Sequence, residues 1–112
     1  MKAEEFDLIV ENRIKSIQKV LVEKSAEYAS PVDRFHNFNV AARIINTSPE
    51  KALLGMMLKH LVSVLDMIDY ARKTPERLTV PLIDEKIGDT VNYLVLLEGL
   101  LKERILNSTV KE

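Results

Sequence analysis

From Val91 to Leu101 the chain is apolar on almost every side of a helix, a pattern that demands cover on most of its circumference. The whole chain has only 112 residues in which to provide that cover. Such a length suits one domain, residues 1–112, and leaves little room for a second core. Few elements remain to surround the segment within one chain. The reading is therefore an all-α bundle of four to five helices that assembles as a homo-oligomer, with this helix central or at the interface.

The remaining periodicity agrees. Phe6, Val10, Ile14, Ile17, Leu21 and Tyr28 recur at helical spacing and predict one long first helix over 1–28, strongest over 4–28. Ser30-Pro31-Val32-Asp33 is a helix-start signal: serine caps, proline suits the first turn, and Asp33 complements the positive helix end. A short helix over 31–45 follows, with Phe35, Phe38, Ala42 and Ile45 on its buried stripe. Asn46-Thr47-Ser48-Pro49-Glu50 repeats the signal and predicts a helix over 49–72. Its expected core face is Leu54, Leu58, Leu61, Leu65 and Ile68, widened by Met57 and Val64. A connector with Pro75 leads to a last helix from Pro81 to about Leu106. The bundle beyond the first helix thus spans 29–106, and 107–112 reads as a frayed tail.

Composition narrows the function classes. Sixteen basic against 17 acidic residues give a formal charge of −1, so no general attraction to nucleic acid or to an anionic membrane is expected. Cysteine is absent, which excludes disulfides and cysteine-ligated metals and is compatible with a reducing, cytoplasmic setting. No signal pattern opens the chain, and no apolar run approaches the roughly 20 residues that span a bilayer. Gly-rich phosphate loops, His-Glu-x-x-His and nucleophile–base–orienter sets are likewise missing.

The informative residues are polar groups that interrupt apolar faces. Glu85, Asp89 and Asn92, spaced i, i+4, i+7, share one stripe that continues as Leu96 and Gly99. Two like charges there call for a cation: either a metal such as Mg²⁺, held through oxygen ligands, or a basic side chain such as Lys24, Lys59 or an arginine. Lys24 lies between Leu21 and Tyr28, with Glu27 beside it. It either snorkels or aims a cation at phosphate or at the carboxylates. Lys59, Ser63 and Asp66 form a further polar stripe, which reads equally as a solvated face with an internal ion pair. His60 sits among Met56, Val64 and Met67 and reads as a packed core residue. Asn37 and Phe38 offer a hydrogen bond and a ring to a base, although Phe35 and Phe38 at i, i+3 are core positions first.

Several of these residues fall into a recognisable order. Lys24-Ser25-Ala26-Glu27-Tyr28-Ala29-Ser30-Pro31 is followed by Phe35, Asn37-Phe38, Ser48-Pro49-Glu50, Met56-Met57-Leu58-Lys59 and Glu85-Lys86-Ile87-Gly88-Asp89-Thr90-Val91-Asn92-Tyr93. Over residues from about 20 to 100, the order resembles the small phage- and prophage-encoded MazG-like proteins. These belong to the all-α nucleoside triphosphate pyrophosphohydrolase superfamily, which also contains the dimeric dUTPases. The resemblance implies a hydrolase that uses Mg²⁺, with Mn²⁺ as a substitute, to split a nucleoside triphosphate into monophosphate and pyrophosphate. It further implies a dimer or tetramer in the cytoplasm, the host's if the chain is phage-encoded.

Carried over position by position, Glu85 and Asp89 match metal ligands, and Glu27, Asp66 and Lys59 match catalytic positions. Lys24, Asn37, Asn92 and Tyr93 match positions that bind substrate. The chain departs from the pattern where better-studied members carry Glu-x-x-Glu on the preceding helix; here that helix offers Lys59, His60, Asp66 and Asp69. Lys86 stands where the strict acidic motif has glutamate. The departures keep two other expectations open: a non-catalytic oligomeric module for protein interaction, and a nucleotide sensor without turnover.

Overall fold

The computed structural model describes residues 1–24 and 32–110, the last two by backbone alone. Four α-helices account for most of these residues, and no strand occurs among them. They are α1, Ala3–Gln18; α2, His36–Ile44; α3, Pro49–Lys73; and α4, Val80–Val110. Glu4 and Glu5 in the first turn of α1, and Lys15 in its last, suit the helix dipole. Past Gln18 the helix widens into one π turn, Lys19–Glu23, closed by the Lys24 N–H donating to the Lys19 carbonyl at 3.0 Å. The sequence predicted an unbroken helix to residue 28; residues 25–28 lie outside the described residues.

Helix α2 begins five residues later than the start signal suggested. Asp33 still organises the start. Its Oδ1 accepts the Phe35 N–H at 3.0 Å, and the Asn39 side-chain amide donates to the same carboxylate at 3.3 Å. The helix ends on Asn46, whose φ of 54° is left-handed, and the Thr47 N–H reaches back to the Ala42 carbonyl at 2.9 Å. This is a Schellman closure with asparagine in the place glycine most often takes.

Helix α3 starts as its sequence requires. The Ser48 hydroxyl accepts the Lys51 N–H at 3.3 Å, Pro49 occupies the first turn, and Arg72 and Lys73 lie in the last. After a single 3₁₀ turn, Pro75–Arg77, the Thr79 hydroxyl caps α4 by accepting the Leu82 N–H at 3.3 Å. Helix α4 runs through Val110, so the expected tail from residue 107 is helical as far as that residue.

The core forms where α2, α3 and α4 meet. Phe38, Leu53 and Leu100 are buried together, with Phe35, Met56, Tyr93, Leu96 and Leu97 packed around them. Gly99 makes room for Phe35: a Cβ at residue 99 would lie 2.7 Å from the ring's Cζ. Helix α1 has no buried residue and lies against α4, where Arg13 covers Gly88 and donates to the Asp84 carbonyl at 3.4 Å.

The buried face of α3 is the expected one only in part, at Met57 and Val64. The inward stripe is Leu53, Met57, His60, Val64 and Met67, whereas Leu54, Leu58, Leu65 and Ile68 are 46–62% exposed. Two apolar stripes lie side by side on this helix, and a single chain covers only one. Phe6, Ile9 and Ile14 on α1, with Leu94 and Leu101 on α4, are exposed as well. The radius of gyration is 16.8 Å, against about 13 Å for a compact chain of this length. The accessible surface is 8496 Å², roughly 2,200 Å² more than a compact monomer of this mass presents.

Candidate functional site

Where the π turn of the first helical segment faces α2, α3 and α4, a cavity of about 290 Å³ opens between them. Val20 and Leu21 reach it because the π turn places them there. Arg34, Asn37 and Phe38 come from the start of α2 and the residues before it, and Met56 from α3. Asp89, Asn92, Tyr93 and Leu96 come from α4. Asp89, Asn92 and Leu96, spaced i, i+3, i+7, continue the stripe that begins at Glu85, so helical register alone delivers them to one wall.

Asp89 is the one carboxylate on that wall among the described residues. Its side chain is 40% exposed, and Nδ1 of the mostly buried His60 lies 3.4 Å from its Oδ2. The His60 ring lies 5.1 Å from the Tyr93 ring, tilted by 31°. Tyr93 also meets Phe38 edge-on at 6.5 Å. Burial, aided by the negative charge of Asp89, pushes the Tyr93 phenol above its ordinary pKa of 10.0. At neutral pH this hydroxyl is therefore a proton-bearing hydrogen-bond donor. Asn92 Oδ1 is buried with no hydrogen-bond partner among the described residues, a condition that costs about 1–3 kcal/mol.

The sequence candidates divide into groups. Asn37, Asp89, Asn92 and Tyr93, as far apart in sequence as 56 positions, line the same cavity. Glu85 shares the stripe one turn before Asp89, but its side chain is 61% exposed and its Oε1 takes the Lys86 ammonium at 3.5 Å. Lys24, Lys59 and Asp66 are exposed and do not line the cavity. Glu27 lies outside the described residues. Two contributors went unread in the sequence as site residues. His60 had looked like core, and it is core on one ring face while its Nδ1 approaches Asp89. Arg34 directly precedes Phe35 in the sequence, and nothing in local spacing marks it as part of the cavity wall.

The resemblance implies a magnesium ion, and the donors present can be weighed against one. Among the described residues no group of three or more His, Asp or Glu side chains converges. Magnesium, however, is commonly held by one or two carboxylates together with waters and substrate phosphates, not by a closed protein cage. Asp89, with Glu85 one turn away, fits an ion that arrives with the phosphates.

The fold and cavity together define a small all-helical chain with a mixed apolar and polar pocket at the meeting of its helices. No helix among the described residues is long and apolar enough to cross a membrane. In comparisons with family models, with curated proteins and with solved structures, nothing matches this chain.

Proposed function

We propose that this chain is a Mg²⁺-dependent nucleotide pyrophosphohydrolase of the MazG-like type, working as a homo-oligomer in the cytoplasm. The observation that carries the reading is the convergence of Asn37, Asp89, Asn92 and Tyr93 on one cavity. The resemblance implies a metal ligand at Asp89 and substrate contacts at Asn37, Asn92 and Tyr93, and all four line the same space.

In this reading the base enters between the apolar side chains of Val20, Leu21, Met56 and Leu96, which exclude water. The edges of Phe38 and Tyr93 give it aromatic contact. The Asn37 and Asn92 amides read its polar edge, and a ligand N–H that reached Asn92 Oδ1 would remove the cost of that unpaired acceptor. Asp89, with Glu85, would hold the ion, which supplies charge neutralisation on the phosphates and an activated water. His60, wedged against Tyr93, fixes the orientation of the Asp89 carboxylate. Hydrolysis breaks the bond between the α-phosphorus and the α–β bridging oxygen: water adds to the α-phosphorus, and pyrophosphate leaves with that oxygen. Lys59, Asp66 and Lys24 enter this scheme only if a neighbouring copy or a bound substrate draws them in.

The oligomer rests on the uncovered stripe Leu54, Leu58, Leu65 and Ile68 together with the exposed apolar residues of α1. The excess surface of roughly 2,200 Å² exceeds the roughly 800 Å² that each partner buries in an ordinary interface.

A screen for pyrophosphate release from ordinary and deoxynucleoside triphosphates, with Mg²⁺ or Mn²⁺, tests the enzyme reading. Metal-dependent release that disappears in Asp89→Ala is the expected result. A folded oligomer that releases nothing from any nucleotide, with no metal-induced rise in melting temperature, would leave the non-catalytic module as the better reading. That rival draws on Asp89 being the one carboxylate on the cavity wall among the described residues.

A further inference from the structure

We propose that Arg34, and neither of the lysines singled out in the sequence, grips the phosphate chain of the ligand. The inference rests on the nucleotide reading of the cavity and adds the residue that selects for phosphate. Among the described residues, two charged side chains line the cavity, Arg34 and Asp89. Asp89 repels phosphate unless a cation intervenes, which leaves Arg34 as the direct attraction in the wall. Lys24 and Lys59 do not line it.

The guanidinium is set for this use. One of its terminal nitrogens, Nη1, donates to the Leu21 carbonyl at 3.1 Å, a backbone atom of the π turn that itself borders the cavity. That bond ties the long side chain to the rim and lowers the freedom lost on binding. An arginine has five N–H donors, so the tether uses a minority of them. The Nε and Nη2 edge has the planar spacing that meets two phosphate oxygens at once. Among the described residues no carboxylate is ion-paired to Arg34. A lysine could replace the charge but not the paired donors or the tether geometry. The π turn thus acquires a use: it shapes the apolar wall with Val20 and Leu21 and holds the cation through the Leu21 carbonyl.

The test is calorimetric binding of four nucleosides and their α,β-methylene triphosphates, which cannot release pyrophosphate, in Mg²⁺ with wild type, Arg34→Gln and Arg34→Lys. Wild type should prefer the triphosphates, and that preference should weaken with salt. In Arg34→Gln the triphosphate affinity should fall on the order of 10- to 100-fold, the usual worth of a charge-assisted bidentate contact. Nucleoside affinity and melting temperature should stay unchanged, and Arg34→Lys should fall between. With hydrolysable substrate the same loss should appear in KM, not in kcat. If Arg34→Gln keeps the full triphosphate preference, the inference fails while the hydrolase reading stands on its own release assay. If the variant loses nucleoside affinity or melts lower, Arg34 is holding the π turn and not the phosphate, and the inference is again overturned. If wild type itself shows no preference for triphosphates, the nucleotide reading fails first.

Discussion

The same substitution at three glycines should give three different outcomes. Placing alanine in a helix interior is worth about 1 kcal/mol relative to glycine when nothing obstructs the new methyl group. At Gly55, in α3, a Cβ would have no heavy atom within 4 Å. Gly55→Ala should therefore collect that gain, raising the melting temperature by roughly 3–6 °C for a chain of this size. At Gly99, in α4, the new Cβ would lie 2.7 Å from Phe35 Cζ and 3.4 Å from its Cε1. Carbon–carbon contacts are favourable near 3.5–4.0 Å, so the ring must retreat by roughly 1 Å. It cannot do so freely, because Phe35 packs on the Phe38, Leu53 and Leu100 cluster and its N–H is bound to Asp33. Overpacking of this kind costs about 1–3 kcal/mol. Set against the helix gain, Gly99→Ala should be destabilising by up to about 2 kcal/mol. At Gly88 the obstacle is the tip of Arg13, 2.6 Å away, whose flexible side chain can swing aside; the outcome there should lie near zero. Urea denaturation of the three variants gives the values directly. Phe35→Leu in the Gly99→Ala background should recover most of the loss as a positive coupling in a double-mutant cycle. If Gly99→Ala stabilised as much as Gly55→Ala, Phe35 would not be seated against α4, and the assignment of the core would be wrong.

Three further outcomes follow from the same geometry. Arg104 donates from Nε and from an Nη to the two oxygens of Glu50, both at 2.8 Å, and these hydrogen bonds hold the Glu50 carboxyl below its ordinary value near 4.5. Its stabilising contribution is therefore complete above that value and is lost as pH falls through the lower folded-state pKa. Glu50→Gln should flatten the acid limb of a melting-temperature profile below pH 4.5, and an unchanged profile would mean that the pair contributes nothing. The Tyr93 phenol should titrate above 10.0, followed by its ultraviolet absorbance, and Asp89→Asn should bring it part of the way back while burial keeps the rest. Leu58→Glu and Leu65→Glu alter residues exposed in the single chain, so within a monomer each should change stability by less than about 0.5 kcal/mol. In sedimentation they should instead dissociate the proposed homo-oligomer, and a wild type that sediments as a monomer would sink the interface.

Some of this architecture was written in local chemistry. Ser48-Pro49-Glu50 determined the start of α3 because a cap, a fixed φ and a dipole-complementing charge act within one turn. The i, i+3, i+7 spacing put Asp89, Asn92 and Leu96 on one wall because helix register is rigid. Where the local signal was ambiguous the sequence misled. Asp33 organised α2 from a loop position instead of its first turn, so the helix started at His36.

Other features belong to the tertiary structure alone. Periodicity marks a stripe as apolar but not as covered. On α3 the Leu53–Met67 stripe and the Leu54–Ile68 stripe are apolar neighbours, and the positions of α2 and α4 chose between them. The same holds for the cavity. Arg34 and His60 carry no pattern that marks them as partners of residues on α4, because what joins them is the packing of separate segments and a π turn whose carbonyl meets a guanidinium. Sequence alone thus determined the helices and the stripe that bears Asp89. Tertiary packing decided which faces were buried and which distant side chains met, because burial and proximity depend on long-range contacts that local propensity does not encode.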